Sequence, residues 1–356
     1  MILEQLEVNG SLLTFGTDCF GEALQATPPD GYSSVFVISQ QNIWDLHGAS
    51  LAQALQKVSC PVSMRMLPDG EGIKNLGTFG ELLSWLADKG ADRKSLIIVL
   101  GGGVVGDLSG FVAASYMRGM PWIYIPTTLL AQQDASIGGK VAVNLPQGKN
   151  LVGQFWDPRA VIIDSMVLGT LPQRQVNAGY MEFLKHGILK SEDLYQRILQ
   201  VPDQPDWSQE MALLAMGLKV KVDIVKEDPF EKNIRRLLNL GHTFGHALES
   251  YTGYKQFLHG EAVGLGLVFA GLLSTRLGGA YDWSDMIGVV KSRVPAFQVG
   301  GWDRKTILDL TLLDKKGVKG IVSWIIPYKP GKVEIVNGVE RHILEDTFEE
   351  FMKQMR

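Results

Sequence analysis

What the chain has little of narrows it first. Its 356 residues include only two cysteines, Cys19 and Cys60, too few for a disulfide framework and without thiolate metal spacing. A reducing compartment, the cytoplasm, is therefore expected. No block of lysines and arginines stands out: 34 basic residues are scattered against 38 acidic ones, for a net charge of −4. That balance argues against a nucleic-acid partner. The opening MILEQLEVNGSLLTFG lacks the basic region and apolar run of a secretory leader, so secretion is not expected. Unbroken hydrophobic runs are missing too. The most apolar stretch, SLIIVLGGGVVGDLSGFVAASYM, is interrupted by Gly101, Gly102, Gly103 and Asp107, which argues against a membrane span and for a strand, a turn and a helix. There is no internal repeat and no low-complexity tail.

What is present points to two domains, since the chain is about twice the usual domain size. In the first half, short apolar runs (SSVFVIS, VSMRMLP, SLIIVLGGG, WIYIPTT, AVIIDS) alternate with helical patterns such as LAQALQKV and LGTFGELLSWLADKG. That alternation predicts parallel βαβ units and a nucleotide site at the strand ends. The segment ASIGGKVAVNLPQGKNLVG reads as a long loop lining a site. From Leu171 on, helical periodicity dominates, ending in a hairpin pattern, GIVSWIIPYKPGKVEIVNG. A boundary is expected between Ser165 and Thr170, giving an α/β domain over 1–170 and a mainly helical domain over 171–356.

Three of the six histidines, His242, His246 and His259, fall within eighteen residues. His242 and His246 are four apart, so on a helix they share a face and suit a shared metal or substrate. Such a pair is more often an ordinary core or surface feature, but His259 opens an apolar helix with a polar HGE that needs a partner. Arg235, Asn239, His242 and His246 advance by four, three and four, which predicts one polar stripe on a single largely buried helix. Glu182 and Lys185, one turn apart, form either an ordinary intrahelical ion pair or, through Glu182, the carboxylate of a two-His, one-Glu zinc site; spacing does not choose. The glycines at 101–103, with Gly106 and Asp107 opening the next helix, suit a pyrophosphate at a helix N-terminus, or a bare tight turn. Thr127 and Thr128 stand at a strand end. Asp69, Glu71 and Lys74 follow another strand and read either as ribose contacts or as a solvated loop. Lys140, Lys149 and Asn150 sit beside flexible glycines and, with Arg118 and Lys221, would suit an anionic substrate.

Taken together, the motifs LGGGVVGDLSGFVAASYMRG, IPTTLLAQQDASIGGK, GKNLVG, LNLGHTFGHALE and LHGEA closely resemble the 3-dehydroquinate synthase family of sugar-phosphate cyclases. The likeness is dense from Asp69 to Gly271 and reaches DKKG at Asp314. It implies an N-terminal Rossmann-like NAD-binding domain, a helical metal-binding domain, catalysis in the cleft between them, and a homodimer. By resemblance, Glu182, His242 and His259 are ligands of zinc or cobalt, and His246 is a proton-transfer residue. Asp69, Glu71, Lys74, Gly103, Val104, Val105, Gly106, Asp107, Thr127, Thr128 and Thr170 match positions that hold NAD. Lys185, Asp134 and Lys140 match catalytic positions. Arg118, Lys149, Asn150, Lys221, Arg235, Asn239 and the Lys315/Lys316 pair match those around a phosphorylated sugar acid. The implied reaction turns 3-deoxy-D-arabino-heptulosonate 7-phosphate into 3-dehydroquinate and phosphate in aromatic amino acid biosynthesis, a lyase reaction with NAD as resident catalyst.

The chain departs from the family pattern at Met181 and His186, in place of Ala and Tyr, at Val141, which removes a hydroxyl, and at Gln40, where an Asp often stands. A secondary-metabolism cyclase is the nearest alternative, but those enzymes usually change the second histidine of GHTFGH or depart from SIGGK, and this chain keeps His246, Gly138, Gly139 and Lys140. A metal-dependent polyol dehydrogenase shares the two-domain plan, without a need for so many phosphate-compatible cations.

Overall fold

The computed structural model describes residues 1–29, 31–297, 301–312 and 322–356. Two compact units emerge, one formed by Met1–Leu171 with Asp206–Ala215, the other by Pro172–Pro205 with Met216–Arg356.

The first unit is built on a seven-stranded sheet of β1 (Ile2–Val8), β2 (Ser11–Gly16), β3 (Val35–Gln40), β4 (Val62–Leu67), β5 (Leu96–Gly101), β6 (Trp122–Pro126) and β9 (Ala160–Asp164). Their order is β1-β2-β9-β6-β5-β3-β4, parallel throughout except for the β1–β2 hairpin. Every residue of β5, β6 and β9 is buried, as expected of parallel strands covered on both faces. Helices α3 (Leu76–Asp88) and α4 (Gly103–Ser115) bury Leu82, Leu86, Val105 and Leu108 in one cluster with Phe36, Ile38, Ile97 and Val99. Helices α1 (Phe20–Ala26) and α2 (Gln41–Leu55) pack together outside that cluster, α2 lying on β3, β4 and β5. The chain leaves β3 for β4 on one side and returns to β5 on the other. The sheet therefore forks between β3 and β5, the place where such sheets bind nucleotides.

Two elements of this unit differ from expectation. The segment read as a long loop is an antiparallel hairpin, β7 (Lys140–Leu145) with β8 (Gly148–Phe155), because the apolar face of β7, Val141 and Val143, packs into the α3–α4 core. The β1–β2 hairpin was not expected, since β1 alternates between exposed and half-buried residues at a sheet edge and presents little apolar signal.

The second unit contains α5 (Gln173–Lys190), α6 (Glu192–Leu199), most of α7 (Met211–Glu227), α8 (His242–Tyr251), α9 (His259–Arg276), α10 (Ser284–Arg293), α11 (Arg304–Thr311), a hairpin of β10 (Ser323–Lys329) and β11 (Lys332–Asn337), and α12 (Arg341–Gln354). Helix α9 is its axis. Residues Gly260 to Gly271 are buried all round, and α5, α8, α10, α12 and β10 pack on it. Glycines set how close these neighbours come. A Cβ on Gly260 would land on the Ala178 carbonyl of α5, and one on Gly266 would land on the Gly241 carbonyl at the start of α8. One on Gly245 would sit 2.9 Å from the Ala262 carbonyl oxygen. Among the described residues no helix is long and apolar enough to cross a membrane.

Gly266→Ala is expected to cost about 1–3 kcal/mol, because the new methyl meets backbone that cannot rotate away. Gly80→Ala in α3, where a methyl meets nothing within 4 Å, is expected to be neutral or to stabilise by up to about 1 kcal/mol. Urea denaturation of both variants checks this; parental stability for Gly266→Ala would contradict the close approach.

Candidate active site

In the first unit, the residues expected to hold a nucleotide lie just beyond the C-terminal ends of the parallel strands. Helix α4 starts at Gly103 directly after β5, with Gly102 as its N-cap and no side chain capping it, so its first N–H groups are available to an anion. A Cβ on Gly102 would sit 3.0 Å from Thr128 Cγ2, so the glycine keeps backbone and β6 end close together. Val105 and Gly106 are buried in the first turns of α4, and Gly106 leaves room for the Tyr124 ring. Burial pushes the Tyr124 hydroxyl well above its ordinary range. Thr128 Oγ1 accepts from Ala131 N–H at 3.1 Å, while the buried Thr127 hydroxyl has no hydrogen-bond partner. An orphaned hydroxyl beside a bare helix N-terminus fits a polar, anionic ligand.

Lys74 ties this edge together. It is 5% exposed and donates to Asp107 at 2.6 Å and to Asn150 Oδ1 at 2.5 Å. Burial raises the Asp107 carboxyl, with Lys74 pulling the other way. Asn144 donates to Glu71 at 2.7 Å and accepts from the Asn150 N–H at 2.9 Å, so the β7–β8 hairpin does line the site. Gln40 donates to Asp69 at 2.8 Å and to the Pro68 carbonyl at 3.2 Å, joining the end of β3 to the loop after β4. Thr170 meets His47 Nε2 at 2.8 Å, and burial lowers the pKa of that histidine. Asp134 lies in a π-helical turn, Ala131–Ala135; Lys140 opens β7, Lys149 lies on β8, and Arg118 is exposed on a turn.

In the second unit, three helices converge on one point. Glu182 of α5 is fully buried beside Lys185 in an i, i+3 ion pair. Its Oε1 has no hydrogen-bond donor and faces His242 Nε2 of α8 at 3.5 Å and His259 Nε2 of α9 at 3.8 Å. The other nitrogens are engaged: His242 Nδ1 meets the Leu240 carbonyl at 3.2 Å and His259 Nδ1 meets Glu249 Oε2 at 3.1 Å. Both acceptors demand a proton on Nδ1, so each neutral ring turns the lone pair of Nε2 toward a carboxylate oxygen. Lone pairs facing one another repel unless a cation lies between them. Ligands of a tetrahedral zinc at ~2.0–2.1 Å stand ~3.3 Å apart, close to the spacings seen. His246, half-buried, places its ring centroid 5.3 Å from that of His242 and 5.8 Å from that of His259. The three histidines could also bring a donor atom each within 4.8 Å of one another. Glu182 adds a buried carboxylate 3.5 and 3.8 Å from two of them.

The polar stripe expected along one helix is not one helix. Ile234–Asn239 is a 3-10 turn, Leu240 is extended, Gly241 is left-handed at φ 80°, and α8 starts only at His242. The break follows from the packing on α9, because a Cβ on Gly241 would sit 2.8 Å from the Val263 carbonyl. Arg235, 1% exposed, donates to the Pro229 carbonyl. Asn239 donates to Glu231 at 2.7 Å, and Lys221 is buried on α7. Lys315 and Lys316 lie outside the described residues. Two departures prove to be packing choices: a Cβ on Gly264 of α9 would sit 2.7 Å from Met181 Sδ, and Val141 fills the space that Gly110 of α4 leaves. His186 is fully buried on α5.

Sequence reading missed His47, Asn144, Asp228 and Glu249. Only Glu249 had a usable signal, lying seven residues after His242 on the same helical face.

The chain thus joins an open parallel sheet with a bare helix start at its fork to a helical unit carrying a Glu–His–His triangle. The fold matches a 2-deoxy-scyllo-inosose synthase solved with carbaglucose-6-phosphate, NAD+ and Co2+ (TM-score 0.86, 24% identity, 98% of this chain and 99% of that one). It also matches a 2-epi-5-epi-valiolone synthase from Streptomyces hygroscopicus subsp. jinggangensis 5008 with NAD+ and Zn2+ bound (0.83, 22%, 99% and 98%). Family models for 3-dehydroquinate synthase, N-terminal and C-terminal, match residues 64–178 and 179–317. A 3-dehydroquinate synthase of Solibacter usitatus (strain Ellin6076) is 39% identical over 331 residues, 91% of each chain. The chain belongs to the 3-dehydroquinate synthase family.

The loop that leads to Arg235 yields a pH test. Burial pushes the Asp228 carboxyl up, but the N–H groups of Lys232, Asn233 and Arg235 at 2.9, 2.6 and 3.2 Å, with the Arg235 charge, hold it below its ordinary value of 3.8. A depressed folded-state pKa contributes stability above the unfolded value that is lost as pH falls through the folded one. Asp228→Asn is therefore expected to be less stable than the parent near neutral pH, with the gap closing as pH falls through the depressed folded-state pKa. Denaturant midpoints measured across that range check it.

Proposed function

We propose that the chain converts 3-deoxy-D-arabino-heptulosonate 7-phosphate to 3-dehydroquinate and phosphate, as a phosphorus–oxygen lyase with resident NAD and a divalent ion, zinc or cobalt. The observation that carries this reading is the Glu182–His242–His259 triangle, whose facing lone pairs call for a cation, in a chain of this family. In this reading residues 1–170 hold NAD through the α4 start, Asp69, Glu71, Lys74, Thr127, Thr128 and Thr170. Residues 171–356 hold the metal and most of the substrate.

Bound there, the two groups supply a reversible hydride acceptor and a Lewis acid for the hydroxyl that is oxidised. The remaining work falls to side chains. His246 stands beside both histidines assigned as ligands, which suits it to carry the hydroxyl proton. Lys185 pairs with the buried Glu182 carboxylate. By family likeness Arg235, Asn239 and Lys221 of the helical unit, and Lys149, Asn150 and Arg118 of the α/β unit, are assigned to the anionic groups of the substrate, and Asp134 and Lys140 to the catalytic set. The overall balance is an elimination of phosphate with a neighbouring proton and no net oxidation, so a bound NAD would serve as a catalyst and not be consumed. Ring opening and an intramolecular aldol step then close the carbocycle, with the protein holding the reacting carbons close. The working form is a homodimer in the cytoplasm, a placement that two unpaired cysteines favour.

A phosphate-release assay with added zinc and NAD tests the reading against the heptulosonate phosphate, glucose 6-phosphate and sedoheptulose 7-phosphate. Turnover of the first, with one phosphate per substrate and no accumulation of NADH, is expected. No turnover of the first, or net NADH from a simple alcohol, would overturn it.

A further inference from the structure

The two histidines that face Glu182 are not held alike. His242 rests its Nδ1 on a neutral group, the Leu240 carbonyl at 3.2 Å in its own chain segment. His259 rests its Nδ1 on a carboxylate, Glu249 Oε2 at 3.1 Å, across the gap between α8 and α9. Glu249 is 2% exposed, a buried acid at a considerable desolvation cost, whereas the His259 side chain is one-third exposed. The acid is thus the more deeply buried of the two, and the imidazole stands at the first position of α9.

We propose that Glu249 is a positioning residue of the metal site, holding His259 in the tautomer that presents Nε2 and making it the stronger of the two histidine ligands. The proposal rests on the reading of Glu182, His242 and His259 as metal ligands. Three physical effects converge. The hydrogen bond fixes which nitrogen carries the proton and which way the ring faces. A charged acceptor draws the Nδ1 proton toward itself and raises electron density at Nε2, which a neutral carbonyl does less. A second buried negative charge, added to Glu182 and only partly offset by Lys185, favours a dication over a monocation or an empty site. Glu249 meets the ring at Nδ1, while Nε2 is the nitrogen that faces Glu182.

The test is zinc affinity of the full chain, measured by competition with a chromophoric chelator on protein stripped of metal, together with the melting temperature of the stripped protein. Glu249→Gln keeps the size and the acceptor oxygen but removes the charge; Glu249→Ala removes both. About tenfold weaker zinc binding for Gln and about 100-fold for Ala are expected, with the stripped Gln variant melting as the parent does. Should the Ala variant fail to fold, the Gln variant decides. Zinc binding by the Gln variant within about twofold of the parent would overturn the proposal, as would a lowered melting temperature with unchanged affinity, which would assign Glu249 to the fold. A parent that binds no zinc would instead overturn the metal reading on which it rests.

Discussion

The structure of the second unit depends on how close α9 comes to α5 and α8. Where Gly260 meets Ala178 and Gly266 meets Gly241, backbone touches backbone with no side chain between. A helix displaced outward by one methyl would carry His259 away from Glu182 and His242. Each donor sits on a different helix, so no local interaction holds the triangle; the packing does. The same constraint explains why Gly241 is left-handed, and why α8 begins at His242 rather than continuing the turn that carries Arg235 and Asn239.

The electrostatics follow from that geometry. A fully buried carboxylate is costly unless paired. Lys185 meets one oxygen of Glu182, while the other looks at two imidazole nitrogens whose protons are drawn to the far side of each ring, by Leu240 and by Glu249. Such an arrangement conflicts with itself without a cation and is relieved with one. In the first unit a comparable logic operates at lower charge, where a bare helix start and the buried Thr127 hydroxyl sit at the fork of the sheet beside the Lys74–Asp107 pair.

Much of this was legible in the sequence, and the failures share a cause. Alternating apolar runs located the parallel strands because strands buried on both faces are apolar throughout, as β5, β6 and β9 are. Spacing of His242 and His246 found the helix that carries two of the clustered histidines, but periodicity reports which side chains share a face and says nothing of what another helix brings to that face. Glu182 and His259 were open candidates from the residues, and only family motifs joined them to His242 as one set. The stripe from Arg235 to His246 failed because Gly241 serves a tertiary contact that no local pattern records. The β7–β8 hairpin hid behind glycines and lysines, and β1 behind its edge position. Glu249 was not singled out, although it is buried against His259.

The central claim is that the packing of α5, α8 and α9 makes a single divalent-ion site from Glu182, His242 and His259, leaving His246 outside it. Anomalous diffraction at the zinc edge, from crystals of the protein grown with zinc, tests this most directly. One strong peak is expected, about 2.0–2.2 Å from Glu182 Oε1, His242 Nε2 and His259 Nε2. A peak bonded to His246 in place of Glu182, or no peak among these residues, would contradict the account.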